Sequence, residues 1–469
     1  MIRRAIISLL ILVTVPVFAQ NEGRLHRDFR VEGESLKACA HFSFGNLTDC
    51  GQTLVMGQPM HIAVGSLPPQ NGFGAGLAFV EHKNFASEWR DNWDIDAVAT
   101  TNGSWRAGAY MKAYRLSGEA IHMSFPSPHS SATPPLFTSA PLFNFYSQSI
   151  SLNHIDYYGI GSNSMRSTHA TFGISESITG VSAILPLGRA LAKARPSLDF
   201  GLNSRFPSVR PGPSNEPSAE LIYTEANTPG LTRQTGFLQP SEGLRLEPSF
   251  FKGHLRLNYY GNFQQFIAPA DSAYSFRRWN ADFTHIIPLY NLLPIRSSPQ
   301  NGPDDCTGPS STIPGVPCPP ASATQRLEGS ITLRAFLSES IASSGSRVPF
   351  YFMPTVGGSD INGTRMIASY PDYRFRGPDL ILFQGSIEHS LGRLPAGLLF
   401  SADGGKIALR RDDISLDHFR HTFAAGFTIH AGGLPLISFV YAWGGSEGDH
   451  SIATISPTLL GGSSRPSLF

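Results

Sequence analysis

The sequence predicts an all-β chain, a 16-stranded antiparallel transmembrane β-barrel, and three observations carry that expectation. From Trp93 to Tyr114 apolar residues alternate with polar or small ones, and the alternation recurs along the chain. The N-terminus has the layout of an export signal: Arg3 and Arg4, an apolar run Ala5 to Phe18, then Val17-Phe18-Ala19 before Gln20. Beyond residue 20 no run approaches the ~18 to 20 consecutive apolar residues of a membrane-spanning helix. An exported chain that spans a membrane without such a helix must span it with strands.

Each element follows from these cues. Residues 1–19 read as a cleavable signal peptide, and 20–71 as a short periplasmic segment with weak strand signals. Residues 72–461 read as the barrel and 462–469 as a C-terminal tail. Strands point successive side chains to opposite faces. Trp93, Ile95, Ala97 and Ala99 therefore share one face, and Asp94 and Asp96 the other. After Thr101-Asn102-Gly103-Ser104 the apolar face continues through Trp105, Ala107, Ala109, Met111 and Ala113, against Arg106, Tyr110, Lys112 and Tyr114. Candidate strands lie near 72–83, 91–100, 105–116, 142–155, 168–176, 179–188, 196–205, 234–248, 253–267, 274–287, 326–338, 379–391, 396–409, 421–431, 434–444 and 449–460. An even count suits a bacterial barrel. In 326–337, Leu327, Gly329, Ile331, Leu333, Ala335 and Leu337 oppose Arg326, Glu328, Ser330, Thr332 and Arg334. Ile381, Phe383 and Ile387 likewise oppose Gln384, Ser386 and Glu388. The connections 117–141, 206–233, 297–325 and 339–378 are long, which predicts that they are extracellular, with tight turns such as 101–104 periplasmic.

Composition narrows the function classes. With 36 basic and 35 acidic residues the net charge is +1, so no electrostatic case exists for a nucleic-acid partner. A mean hydropathy of −0.09 suits a wall in which half of each strand faces water. The cysteines form two local pairs, Cys39 with Cys50 and Cys306 with Cys318. In an oxidising compartment these predict two short-loop disulfides, since neither pair has zinc-ligand spacing.

Three passages resemble the BamA/TamA bacterial surface-antigen family of outer-membrane assembly factors. Asp156-Tyr157-Tyr158-Gly159-Ile160-Gly161-Ser162-Asn163-Ser164 is similar to that family's aromatic-Gly-x-Gly passage. Gly357-Gly358-Ser359-Asp360, followed by Asp372-Tyr373-Arg374-Phe375-Arg376-Gly377, resembles its long sixth extracellular loop. Ser401 to Lys406 and His421 to Gly461 are similar to its last four strands. The resemblance implies a location in the outer membrane and a 339–378 loop folded inward. It also implies a role in inserting or translocating protein or lipid, with unfolded outer-membrane protein clients, membrane lipid and lipopolysaccharide as partners. Two departures stand out. The passage matching the family's Arg-bearing loop tip reads Ile367-Ala368-Ser369-Tyr370, with Arg365 nearby but out of register. Residues 20 to 70 are also too few for a POTRA domain, so the chain reads as a barrel-only member, and a passive pore or structural barrel is the alternative function.

Arg374 and Arg376 are two residues apart, so in an extended stretch they project together. They are expected to clamp the loop to acids on the inner wall, with Glu328 and Glu388 the candidates by pattern. An exposed loop whose arginines meet lipopolysaccharide phosphates is the alternative. No cofactor, metal site or catalytic constellation is expected. Gly444-Gly445-Ser446-Glu447-Gly448 fits G-x-S-x-G formally, but a strand follows it where the nucleophile elbow needs a helix. His450–Ser451 and His129–Ser130 are adjacent pairs that a strand points apart. Arg410-Arg411-Asp412-Asp413 reads as a solvated turn. Pro457 either weakens a first-to-last strand seam or marks a frayed strand end, and Phe469 resembles a C-terminal barrel-targeting aromatic.

Overall fold

In the computed structural model the described residues are 24–37, 59–115, 141–188, 194, 196–291, 328–391, 396–455 and 466–468, apart from 87, 214, 418, 432 and 433. The signal segment, all four cysteines, His129, Ser130, Pro457 and Phe469 lie outside them. The chain divides at His61/Ile62 into two units. The described part of the first includes a helix, α1 (Arg24–Lys37), with an exposed Arg30–Glu34 ion pair at 3.2 Å.

The second unit is built on one large sheet, whose first strand begins two residues before the boundary. Its strands are β1 (Met60–Ser66), β2 (Phe73–Ala86), β3 (Trp89–Thr100), β4 (Trp105–Arg115), β5 (Leu142–Tyr157), β6 (Ala170–Pro186), β7 (Pro196–Pro211) and β8 (Phe237–Leu246). They continue with β9 (Leu255–Phe266), β10 (Phe276–Asn291), β11 (Glu328–Ala342), β12 (Asp379–Ser390), β13 (Ala396–Ala408), β14 (Arg420–Ala431), β15 (Leu434–Gly445) and β16 (Gly448–Ile455). The sheet has 17 strands when Ser249–Phe250 is included. That two-residue piece follows β8 and pairs with the same partner, β9, so sixteen strands make the wall. From β2 to β16 each strand is antiparallel to the next in sequence.

The wall is inside out relative to a water-soluble sheet. Trp93, Ile95, Phe283, Leu333, Phe383, Phe427 and Tyr441 are exposed on its outer face. The inner face buries charged and polar groups, as a strand between hydrocarbon and a polar interior requires. Asp96 pairs with Arg106 at 2.7 Å, Glu176 with Arg205 at 2.8 Å, Asp282 with Arg334 at 2.8 Å and Asp199 with Arg245 at 3.6 Å.

The expected count of sixteen coincides with the observed one through two compensating differences. β1 was not among the expected strands, because seven residues, Met60-His-Ile-Ala-Val-Gly-Ser66, carry little alternation. The expected break near 177–178 is absent, for β6 runs unbroken past Thr179-Gly180 against β5. Gly180 is required by packing rather than turning: a Cβ there would collide with the Asn203 side chain and press on the Tyr146 ring. The tyrosine hydroxyl donates to Asn203 Oδ1 at 2.6 Å.

Strand alternation also corrects the rims. The tight 101–104 turn, expected at the periplasmic rim, joins β3 to β4 at the same rim as the connections β5–β6, β7–β8 and β11–β12. The connections leaving β4 and β10, expected beside the β11–β12 loop, depart from the opposite rim. Length alone therefore does not mark the side of the membrane.

The outward face yields a test. Leu333→Arg, in mid-β11, is expected to lower folding stability in lipid vesicles by about 2–4 kcal/mol, the cost of a cation near the bilayer midplane. Denaturant titration measures it; a loss under about 0.5 kcal/mol, usual for a water-exposed site, would mean this face does not meet hydrocarbon.

Candidate functional site

The inner face is occupied by the β11–β12 connection. It enters as Phe350-Tyr351-Phe352, a buried 3-10 turn. Phe350 lies 5.1 Å from the Tyr157 ring of β5 and 5.0 Å from Phe172 of β6. Phe352 lies 5.0 Å from Phe237 of β8 and 4.9 Å from Phe266 of β9. The Phe172–Phe350 and Phe237–Phe352 pairs are edge-on and the other two tilted, and ring pairs at such spacing add to the burial of large apolar surfaces. The inner wall also hydrogen-bonds the turn, as Arg278 of β10 donates to the Phe352 carbonyl.

The loop then makes a small ribbon, Thr355–Val356 against Phe375–Arg376. Between these strands Gly357 and Gly358 take φ of +117° and +55°, where a Cβ at either would strike Arg374 or Asp372. The acids of this motif bind backbone. Asp372 Oδ1 accepts Ser359 N–H at 2.7 Å, and Asp360 Oδ1 accepts Thr364 N–H at 2.7 Å and Asn362 N–H at 2.9 Å. Burial pushes both carboxyls up to about 6. The Ile367-Ala368-Ser369-Tyr370 tip is fully enclosed, and Ser369 N–H donates to Thr422 Oγ1 of β14 at 3.1 Å. Arg365, out of register by sequence, faces Asp403 of β13 at 3.5 Å, and its carbonyl accepts from Gln384 of β12 at 3.0 Å.

Both candidate arginines are buried. Arg374 Nε donates to Glu447 at 2.7 and 3.0 Å, while its two terminal nitrogens reach Ser164 Oγ and the Ser164 carbonyl, each at 2.8 Å. Its guanidinium carbon stands 4.7 Å from the Tyr158 ring centre and 4.4 Å from that of Phe375. Among the described residues no carboxylate pairs with Arg376. It donates to the Phe350 carbonyl at 2.9 Å among the rings of Tyr157, Phe172 and Phe350, and burial pushes it down to about 10. Tyr373, held at φ +58°, donates its hydroxyl to the Pro69 carbonyl at 3.1 Å, and Gly377 donates its N–H to the Pro354 carbonyl.

The expected acids are not the partners. Glu328 sits opposite Asn291 at the start of β11, and Glu388 opposite Ser330 near the end of β12. Both belong to the rim away from the loop's attachment. Nine residues separate Asp379 from Glu388, about 30 Å of strand, beyond an arginine's reach. Glu388 instead accepts from Thr428 at 3.3 Å. The actual partner, Glu447, lies in the β15–β16 turn, inside the motif with G-x-S-x-G spacing. That turn, with Gly444 and Gly448 at positive φ, is a hairpin rather than a nucleophile elbow. The signal for Glu447 was its position in a tight turn, but only the rim assignment connects that turn to the loop.

The passage 156–164 is the cradle for this loop. Tyr157 and Tyr158 supply ring faces, Gly161 N–H donates to the Arg376 carbonyl at 2.7 Å, and Ser162 O accepts from Arg420 at 2.7 Å. Sequence reasoning also missed the tail. Arg205 Nη2 donates to Ser467 O at 2.7 Å, Leu468 N–H donates to Asn362 Oδ1 at 2.8 Å, and Asn362 Nδ2 returns a bond to Leu468 O at 3.1 Å. Leu468 packs within the aromatic cluster around Phe350.

No family model matches the chain, and no curated protein matches it. Among solved structures, BamA from Haemophilus ducreyi lacking POTRA domains 1-3 is similar over 84% of this chain and 69% of its own, with 11% identity and a TM-score of 0.44. CdiB from Escherichia coli is similar over 84% of this chain, with 13% identity and a TM-score of 0.48. This chain spans 62% of CdiB.

Arg374→Ala and Glu447→Gln are each expected to weaken loop docking by about 1.5–3 kcal/mol, the value of a hydrogen bond to a charged group. Native-state proteolysis of the loop reads the loss. The double variant should cost less than the sum of the two, and additivity within about 0.5 kcal/mol would show that the pair is not coupled.

Proposed function

We propose that this protein is an outer-membrane barrel that translocates or inserts polypeptide, with the β11–β12 loop as the movable element of its lumen. The observation that carries the reading is the anchoring of the loop by Arg374. One guanidinium joins the loop to the β15–β16 turn through Glu447 and to the β5–β6 connection through Ser164. A passive pore gains nothing from filling its own lumen with an aromatic turn and a buried cation. A device that must stay closed until a client arrives does gain from it, because a discrete set of contacts gives two defined states rather than a graded leak. The reading involves no catalytic step. Polypeptide clients, membrane lipid and lipopolysaccharide are the partners it implies.

A reversible lock tests it. Ser369→Cys with Thr422→Cys joins the loop tip to β14, where the native backbone–side chain contact is 3.1 Å. A photo-crosslinking residue at Asn362 then reports what enters the lumen in intact cells. Polypeptide adducts that appear with the lock reduced and vanish with it oxidised are expected. Equal adduct yields in both states, or conductance to small solutes with no polypeptide adducts, would favour the passive pore.

A further inference from the structure

Four side chains that take no part in holding the loop converge where β5 reaches the rim. His154 and Asp156 are two apart on β5, His154 within the register shift between Leu152 and Ile155, and their side chains meet. Glu216 comes from the β7–β8 connection and His169 from the end of the β5–β6 connection. His154 Nε2 lies 3.3 Å from Glu216 Oε2 and 3.4 Å from Asp156 Oδ1, and all three atoms fall within 4.8 Å of one another. His169 Nε2 is 2.8 Å from the same Asp156 oxygen.

A hydrogen bond accounts for the His169–Asp156 contact, while His154 meets Asp156 and Glu216 at ion-pair distance only. His154 Nε2 and Glu216 Oε2 are buried atoms, and neither has a hydrogen-bond partner of acceptable geometry. Their spacing has another explanation. Ligands at about 2.0–2.1 Å from a tetrahedral cation stand about 3.3–3.4 Å from each other. His154 stands at that separation from each carboxylate, and the two carboxylate oxygens lie within 4.8 Å of one another. The surroundings also orient the donors. The other oxygen of Asp156 receives Gln70 Nε2 and the Tyr158 hydroxyl, leaving Oδ1 turned toward the cluster. Outer hydrogen bonds of this kind fix a carboxylate ligand's direction.

We propose that His154, Asp156 and Glu216 form a binding site for a divalent transition-metal ion, with His169 moving off Asp156 to supply the fourth ligand. Imidazole with carboxylate suits Zn²⁺ among such ions, whereas Ca²⁺ takes six to eight oxygens and Mg²⁺ near-octahedral oxygen. The ion would tie the end of β5 to the β7–β8 and β5–β6 connections. Residues 157 and 158, which supply ring faces to Arg376 and Arg374, follow directly, so the site would stiffen the loop's cradle.

The test uses the full chain in detergent, stripped with chelator and with its thiols alkylated so that cysteine cannot bind metal. Calorimetric titration with Zn²⁺ is expected to show saturable binding near one ion per chain, with Mg²⁺ giving none. Binding should weaken at least about tenfold in His154→Ala and in the near-isosteric Glu216→Gln, and remain unchanged in His285→Ala, a histidine elsewhere on the wall. A gel shift between unheated and boiled samples verifies that each variant is folded. No Zn²⁺ binding by the folded parent, or binding unaltered in both site variants, would overturn the proposal.

Discussion

A wall that meets hydrocarbon on one side must carry its polar groups on the other, and those groups need partners. In this chain protein supplies many of them. The β11–β12 loop enters the space enclosed by the inner face and satisfies groups that a strand pair cannot satisfy alone. Arg278 finds the Phe352 carbonyl and Gln384 the Arg365 carbonyl, and the Arg365 guanidinium stands 3.5 Å from Asp403 as a counter-charge. The rest of the arrangement depends on that exchange, since an unpaired buried polar group costs more than a paired one returns.

The balance is fine because buried charge is a poor source of net stability. Taking a guanidinium out of water costs several kcal/mol, on the order of what a good partner restores. Arg374 recovers it through a carboxylate, a hydroxyl, a carbonyl and two ring faces. Arg376, with a carbonyl and ring faces as its partners among the described residues, stays protonated at neutral pH although burial pushes it down to about 10. Such contacts specify one docked geometry more than they deepen it. A loop held this way can be released by any group that offers the same arginines a better partner.

Much of the wall was legible because a strand's period of two survives in the sequence wherever one face meets lipid. Trp93, Ile95, Leu333 and Phe383 point outward as the alternation requires, and Asp96 and Arg334 point inward. What failed was information that is not local. Gly180 reads as turn punctuation, yet it makes room for Asn203 on the neighbouring strand. Glu328 and Glu388 carry the right charge, but each stands at the end of its strand away from the loop, a height the alternation of faces does not report. Glu447 shares a rim with the loop, but it sits in a turn, where no periodic pattern marks which side chains turn inward. The tail contacts of Ser467 and Leu468 have no periodic signature.

The enclosed loop is the central claim, and hydrogen exchange of the unmodified protein in lipid nanodiscs tests it most directly. The amides of Gly358, Met366 and Ser369, bonded to Ile367 O, Gly358 O and Thr422 Oγ1, should exchange as slowly as those of the adjoining strands β13 and β14. Exchange at the rate of an exposed turn such as 411–413 would contradict it, because a loop whose amides meet water freely is not packed against the inner wall.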